Sequence, residues 1–131
     1  MRPDEAKQFV IDAVIYALEN RDPSMDYSKY VSKNFINTID DKRFDFEQWI
    51  QHIKNIKSVV QSMKPTFDCV VSDGKNVFAS YHVKSVKNDG SEIIVKDLGH
   101  FIIEDRKVIY CDELTKLIQG GDEDQDFASL S

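Results

Sequence analysis

The chain has 131 residues, of which 41% are hydrophobic and 31% are charged, the proportions of an ordinary globular domain. Seventeen Lys and Arg against 23 Asp and Glu give a formal net charge of −6 with no basic cluster, so we expect no nucleic-acid partner. The apolar run Phe9–Leu18 contains Asp12 and is too short to span a membrane, and the first residues lack the features of a secretory signal. We therefore expect a single cytoplasmic domain without membrane association.

The cysteines and histidines predict neither a disulfide framework nor a metal site. Cys69 and Cys111 have no CxxC or Cys/His spacing around them, which indicates reduced and mostly structural thiols. The three histidines form no HxxxH or His-x-His pattern, so a metal would need side chains from unrelated elements. We expect no metal and no cofactor.

Apolar residues at helical spacing predict two helices in the first third of the chain. The first runs from about Asp4 to Asn20, with Pro3 suited to its first turn. The segment 22–24 ends it, and a short second helix is predicted over Met25–Val31. Residues 40–43, a run of charges, predict a turn.

A capping box marks the start of a third helix. Asp45 is a suitable N-cap residue and Gln48 follows three positions later. Phe44 is placed to contact Trp49 as a hydrophobic staple. The apolar stripe then continues at helical spacing until Pro65, which cannot continue a helix.

Beyond Pro65 the hydrophobic period changes to two, which predicts strands. Four strands separated by short turns are expected: Thr66–Ser72, Asn76–Lys87, Glu92–Glu104 and Lys107–Ile118. Three helices followed by an antiparallel meander predict an α+β cone, with the helices packed on a curved four-strand sheet. Residues 1–118 then form the domain. Residues 119–131 form an acidic tail that is either disordered or packed across a dimer partner.

Four segments carry a resemblance to a known family: Tyr16–Asp22, Phe44–Trp49, Gly99–Val108 and Cys111–Thr115. With the order of elements, they resemble the SnoaL-like polyketide cyclase branch of the nuclear transport factor 2-like superfamily across residues 4–118. The resemblance implies a cone-shaped domain with a pocket that often forms a homodimer through its sheet. Ketosteroid isomerases, epoxide hydrolases, polyketide cyclases and non-catalytic binders share this fold.

The resemblance also implies which familiar chemistry is absent. The oxyanion-binding tyrosine of the steroid isomerases falls near Val14, their base aspartate near Thr38, and their protonated aspartic acid near Gly99. Proton abstraction next to a carbonyl needs a base and donors aimed at the oxyanion. We therefore do not expect the steroid isomerase mechanism in its usual form.

The same resemblance places acids and a histidine on the concave face of the sheet. We predict His82 as the catalytic base or acid, with Glu113 or Asp97 as the orienting or second titrating group. The ligand contacts that we predict are Trp49, Ser80, Phe101, Cys111 and Thr38. In the alternative, His82 points outward, because a slip of one residue exchanges Tyr81 and His82 between the two faces.

These residues predict a protein that binds a small apolar or oxygenated metabolite in the cone. If it is an enzyme, we expect a cofactor-independent isomerase, cyclase or hydrolase that acts by acid-base chemistry. The alternative is a non-catalytic ligand carrier or a dimerising interaction module of the same fold. A third possibility is a cone filled by its own side chains.

Overall fold

The computed structural model describes residues 1–130. Its elements in chain order are α1 (Pro3–Glu19), β1 (Val31–Ile39), β2 (Lys42–Asp45), α2 (Phe46–Val59), β3 (Val60–Ser72), β4 (Asn76–Lys87), β5 (Glu92–Glu104) and β6 (Lys107–Gln119), followed by two single-turn 3-10 helices, Asp122–Asp124 and Phe127–Ser129. No helix in this described part of the chain is long and apolar enough to cross a membrane.

One curved sheet contains all six strands, in the order β2-β1-β6-β5-β4-β3. Strands β3 to β6 form the predicted antiparallel meander. The additional strand β1 pairs parallel to β6 and antiparallel to the short strand β2. The predicted α+β cone with a curved sheet is therefore confirmed, with six strands in place of four.

The predicted second helix is absent from the described residues. Residues 23–30 form turns, and the chain enters β1 at Val31. Within β1 the side chains of Phe35, Asn37 and Ile39 are buried alternately, as a half-buried strand requires. The turn expected at 40–43 is present as the tight link between β1 and β2, with Asp40 and Asp41 at positive φ.

Helix α2 begins where the capping box placed it. The Asp45 side chain accepts a hydrogen bond from the Gln48 backbone N–H at 2.8 Å, and the Gln48 side chain accepts one from the Asp45 N–H at 2.9 Å. Phe44 stacks on His52, with ring centroids 4.7 Å apart, where a contact with Trp49 was expected. The helix ends at Val59, earlier than predicted, and Pro65 lies inside the edge strand β3, a position that tolerates proline.

The two helices cover the concave side of the sheet and bury its inner residues. Inward positions of β4 and β5 alternate with exposed ones, as the pleat dictates. The outer face of the sheet has no covering element in the described part of the chain and exposes several large apolar side chains, which are Val71, Phe78, Leu98, Leu114 and Ile118.

The acidic C-terminal segment is ordered and docks on its own domain. Its two 3-10 helices bury the side chains of Asp124, Phe127 and Ser129. The expectation of a disordered tail was therefore wrong for residues 122–130. The sequence gives mainly charge here, whereas docking depends on a few side chains that meet partners far away in the chain.

Candidate functional site

A largely apolar cavity of about 110 Å³ lies between the concave face of the sheet and the two helices. Its wall carries six polar or titratable side chains: Asn37, His52, Tyr81, Asp97, Cys111 and Glu113. Apolar residues from both helices and from β1, β4, β5 and β6 make up most of the rest. Such a space, apolar with a few convergent polar groups, is typical of a small-molecule site.

Strand register brings three of the polar groups together. Tyr81 on β4 lies directly opposite Asp97 on β5, and Glu113 on β6 lies opposite Gly99 on β5. Because residues two apart on a strand share a face, Asp97 and Gly99 both face the cavity. Tyr81, Asp97 and Glu113 therefore form a cluster that spans three neighbouring strands.

Hydrogen bonds hold Glu113 but leave one carboxyl oxygen of Asp97 without a partner. The Tyr81 hydroxyl donates to Glu113 Oε1 at 3.2 Å, and Asn37 Nδ2 lies 3.5 Å from Glu113 Oε2 while it donates to the Cys111 carbonyl at 3.1 Å. Asp97 Oδ1 is buried and has no hydrogen-bond partner within residues 1–130. A buried carboxyl oxygen without a partner is costly and marks a place where a ligand could bind.

The two acids differ in how far their pKa values are raised. Burial raises the pKa of Asp97 well above its usual range and the nearby Glu113 charge raises it further, whereas a hydrogen bond from Tyr81 opposes the rise. Burial also raises the pKa of Glu113, but hydrogen bonds from Cys111, Asn37 and Tyr81 oppose the rise. We therefore expect Asp97 to hold its proton to a higher pH than Glu113.

The remaining polar groups stay protonated around this pair. Burial raises the pKa of the Tyr81 hydroxyl well above its usual value, and the charges of Asp97 and Glu113 raise it further, so Tyr81 remains a donor. Burial and the same two carboxylates raise the pKa of the Cys111 thiol. Cys111 is thus a poor nucleophile in this setting, because the thiolate is the reactive form.

The structure brings most, but not all, of the predicted site residues to the cavity. Asp97 and Glu113 line it, as do the predicted ligand contacts Trp49, Phe101 and Cys111.

His82, Ser80 and Thr38 do not face the cavity, and the placement predicted for them was wrong. His82 lies on the outer face, where its Nδ1 is 2.6 Å from Asp68 Oδ2. The predicted phase of β4 was shifted by one residue, which turns His82 and Ser80 outward and Tyr81 inward. Thr38 is the outward neighbour of the buried Asn37.

Sequence reasoning missed Asn37, Tyr81 and His52 as cavity residues. For Tyr81 a usable signal existed, because Val77, Ala79, Tyr81 and Val83 form the more apolar of the two alternating sets of β4. Asn37 was missed because the strand that contains it, β1, was not predicted. His52 is buried and hydrogen-bonds the Leu130 carbonyl, and its long-range partner leaves no local signal in the sequence. Within residues 1–130 no group of three or more His, Cys, Asp or Glu side chains is arranged to hold a metal ion.

Comparison by sequence gives little. No family model matches the chain. A protein of Schizosaccharomyces pombe, the uncharacterized protein C11D3.04c, is 17% identical over 101 residues, which cover 77% of this chain and 78% of that protein. This relationship carries no activity to the chain.

Comparison by structure gives the fold. AclR from Streptomyces galilaeus, proposed to be a hydroxylase, matches with a TM-score of 0.74 at 11% identity, covering 88% of this chain and 81% of that chain. An LEH-like epoxide hydrolase from M. tuberculosis gives 0.69 at 14% identity, covering 87% and 84%. A proposed SnoaL-like polyketide cyclase from Jannaschia sp. CCS1 gives 0.63 at 15% identity, covering 84% and 87%.

One of these three structures is named as SnoaL-like, and the resemblance inferred from the sequence is confirmed at the level of the fold. Because the identities lie between 11% and 15%, the likeness extends to the backbone and not to the reaction.

Proposed function

We propose that the chain binds a small, neutral, largely apolar and oxygenated metabolite in the cone cavity. We further propose that it moves a proton on this ligand, as an isomerase or cyclase that needs no cofactor. The observation that carries the proposal is the pair Asp97 and Glu113 on one wall of an otherwise apolar cavity. Structural relatives named as a polyketide cyclase and an epoxide hydrolase agree with a small oxygenated ligand.

The two acids suit opposite roles. Glu113, ionised and held by Tyr81 and Asn37, takes a proton from the carbon next to a ligand carbonyl. Asp97 keeps its proton and its Oδ1 has no protein partner, so it donates a hydrogen bond to the ligand oxygen as negative charge develops there. Return of the proton from Glu113 to a different carbon completes an isomerisation. His82 has no part in this scheme.

An apolar wall without a cationic side chain also defines what the cavity rejects. Among residues 1–130, two carboxyls and no Lys or Arg line it, so a carboxylate or phosphate ligand would meet negative charge without compensation. We therefore propose a neutral carbonyl compound as the ligand class.

The test is proton exchange on a simple ketone. Cyclohexanone is dissolved with the protein in D₂O, and loss of its α-proton signal is followed by NMR, which detects a general base without knowledge of the natural product. We expect Glu113→Gln to lose about 100-fold or more in the catalysed rate, the usual contribution of a positioned base. Asp97→Asn should also reduce the rate, whereas Asp112→Asn and His82→Ala, which alter outward side chains on the same sheet, should not.

Two results would contradict parts of this proposal. Exchange by Glu113→Gln equal to that of Asp112→Asn would remove Glu113 as the base. Cyclohexanone could bind saturably, seen as line broadening, without proton exchange above the rate in buffer. That result would indicate a ligand carrier and not an enzyme.

A second property, self-association through the sheet, is favoured by the outer face. Leu98 and Leu114 lie opposite each other on β5 and β6 and are 51% and 63% exposed. The row on one side of them is Lys96 and Lys116, and the row on the other side contains Asp112. Consider a second copy that packs face to face with the first, related by a two-fold axis parallel to the line from Leu98 to Leu114. The Asp112 of each copy then lies against the lysines of the other, so the face is self-complementary in charge.

We therefore propose a homodimer through this face. Light scattering after size exclusion should give a dimer mass for the wild type and a monomer mass for Leu114→Glu. The matched control is Ile15→Glu, an exposed apolar residue on α1. A wild-type monomer at tens of micromolar, or equal behaviour of the two variants, would reject the dimer.

A further inference from the structure

Residues 122–130, which we name the C-terminal strap, form part of the cavity wall. Phe127 is buried, and both Phe127 and Ala128 line the cavity. The strap belongs neither to the sheet nor to the two helices, so this portion of the wall can move without disrupting either.

Ion pairs tie the first half of the strap to β4. Lys87 Nζ lies 3.1 Å from Asp124 Oδ1 and 3.7 Å from Glu123 Oε1. Asp124 is buried and also accepts a hydrogen bond from the Gly121 N–H at 2.9 Å. Charge-assisted contacts of this kind are strong when the partners meet, but their salt sensitivity is greater than that of a packed core.

Two side chains of the domain hold the second half of the strap by its backbone. Lys42 Nζ on β2 donates to the Ser129 carbonyl at 3.1 Å. The His52 ring on α2 hydrogen-bonds the Leu130 carbonyl. No strand ladder or helix ladder continues from the domain into residues 122–130, so the strap is held by these separate polar contacts and by the packing of Phe127, Ala128 and Leu130 on the core.

The link between the strap and β6 is flexible by composition. Strand β6 ends at Gln119, and Gly120 and Gly121 follow, with Gly120 at positive φ. Glycine has the widest range of backbone conformations, which suits a hinge. Terminal segments that lie outside the sheet and the helices open at lower free energy than core strands.

We propose that the C-terminal strap is a removable wall of the cavity, released at Gly120 and Gly121 by loss of the Lys87 ion pairs, and that a ligand reaches Asp97 and Glu113 only while the strap is open. The inference deepens the proposed function and rests on it, because it treats this cavity as the ligand site. Phe127 then competes with the ligand for the mouth of the cavity.

The experiment uses Cys111 as a reporter of access, because it is buried on the cavity wall. All variants carry Cys69→Ser, which removes the exposed thiol. Methyl methanethiosulfonate converts an accessible thiol into a mixed disulfide with release of methanesulfinate, and mass spectrometry gives the rate. The full-length chain is compared as wild type, Lys87→Met, Phe127→Ala and Lys84→Met, the last being a control at an exposed lysine on the same strand that pairs with Glu92.

We expect Lys87→Met and Phe127→Ala to label Cys111 about tenfold faster than Lys84→Met, since a charge-assisted hydrogen bond or a buried side chain is lost from the strap. Raising NaCl to about 1 M should accelerate labelling of the wild type but not of Lys87→Met, because only the wild type has the ion pairs to screen.

Equal labelling rates in all the variants would overturn the proposal. A parallel rise in hydrogen exchange at the core amides of β5 would also overturn it, because the whole domain would then be opening. The ketone assay separates the two proposals. If Cys111 is labelled faster in Lys87→Met and Phe127→Ala but no variant catalyses ketone exchange, the movable strap stands and the proposed proton transfer is rejected. If ketone exchange is catalysed but the labelling rates are equal, only the movable strap is rejected.

Discussion

Tyr81 and Glu113 meet over an intervening strand, with the Tyr81 hydroxyl 3.2 Å from Glu113 Oε1 although β5 separates β4 from β6. The residue between them is Gly99, which lies opposite Ala79 on one side and Glu113 on the other. The absence of a side chain at Gly99 leaves the space that the Phe101 ring occupies beside Asp97 Oδ1. The contact ties three strands together at the acid pair.

The Tyr81 hydroxyl should set the ionisation of Glu113. Its hydrogen bond lowers the pKa of Glu113 against the effect of burial, so Tyr81→Phe should raise that pKa further. The ketone exchange catalysed by the ionised base should then require a higher pH in Tyr81→Phe than in the wild type. We also expect a loss of about 0.5 to 1.5 kcal/mol in unfolding free energy, measured by urea titration.

Tyr110→Phe is the matched control, since Tyr110 contacts His100 on the outer face. A pH profile of exchange that is identical in Tyr81→Phe and Tyr110→Phe would show that the hydroxyl does not tune Glu113.

Asp97→Asn should stabilise the protein at the expense of activity. The folded-state pKa of Asp97 is raised, so its favourable contribution is complete below the unfolded pKa of 3.8 and is lost as the pH rises through the folded pKa. Replacement of the carboxyl by a neutral amide in Asp97→Asn removes this loss of stability at high pH. At pH 8 we expect Asp97→Asn to be more stable than the wild type, by about 1.4 kcal/mol for each pH unit by which the folded-state pKa exceeds the unfolded one, up to pH 8.

The measurement is urea unfolding of wild type and Asp97→Asn from pH 4 to pH 9. The difference between the two should grow with pH, whereas Glu47→Gln, which alters an exposed carboxylate on α2, should follow the wild type. A difference that is constant over this range would mean that Asp97 does not titrate with a raised pKa.

Gly99→Ala tests the space that the acid pair needs. An added Cβ would lie 2.9 Å from Cε1 of the Phe101 ring and 3.6 Å from Asp97 Oδ1, so the ring has to move. We expect a loss of about 1 to 3 kcal/mol in stability, as overpacking usually causes, and slower ketone exchange. Ser80→Ala, on the outer face of the neighbouring strand, is the control. Wild-type stability in Gly99→Ala would show that Phe101 yields at no cost.

Local patterns were sufficient for the parts of the fold that local physics determines. The capping box of Asp45 and Gln48 fixed the start of α2 because its hydrogen bonds join residues three apart. The meander followed from the period-two alternation and from short turns. The strand β1 was missed because its partner is β6, far along the chain, and a parallel pairing leaves no turn signal between the strands.

The site shows the same division. Asp97 and Glu113 lie on the face where the resemblance placed them, with Val95 and Phe101 inward beside Asp97. The resemblance gave the wrong phase for β4, which has apolar residues on both faces, Phe78 on one and Val77 on the other. The more apolar of the two sets, which contains Tyr81, is the one that the helices cover.

His52 should give the protein a second, opposite dependence on pH. It is buried against the Phe44 ring, and the Lys42 ammonium and the Leu130 carbonyl face it. Burial lowers its pKa, the Leu130 carbonyl opposes this, and Lys42 lowers it further. Because the folded pKa lies below the unfolded 6.5, the unfolded chain takes up the proton first. The stability that His52 contributes is complete above pH 6.5 and is lost as the pH falls below that value.

Urea unfolding between pH 7.5 and pH 5 measures this effect. The protein carries Asp97→Asn, because titration of Asp97 would change the stability with pH in the opposite direction. The slope should approach, at most, about 1.4 kcal/mol per pH unit for one proton. His52→Gln should flatten it, whereas His100→Gln, whose ring lies on the outer face against Phe78, should leave it unchanged. If the unfolding free energy depends on pH with the same slope in His52→Gln and His100→Gln, the proton that is taken up on unfolding belongs to a group other than His52.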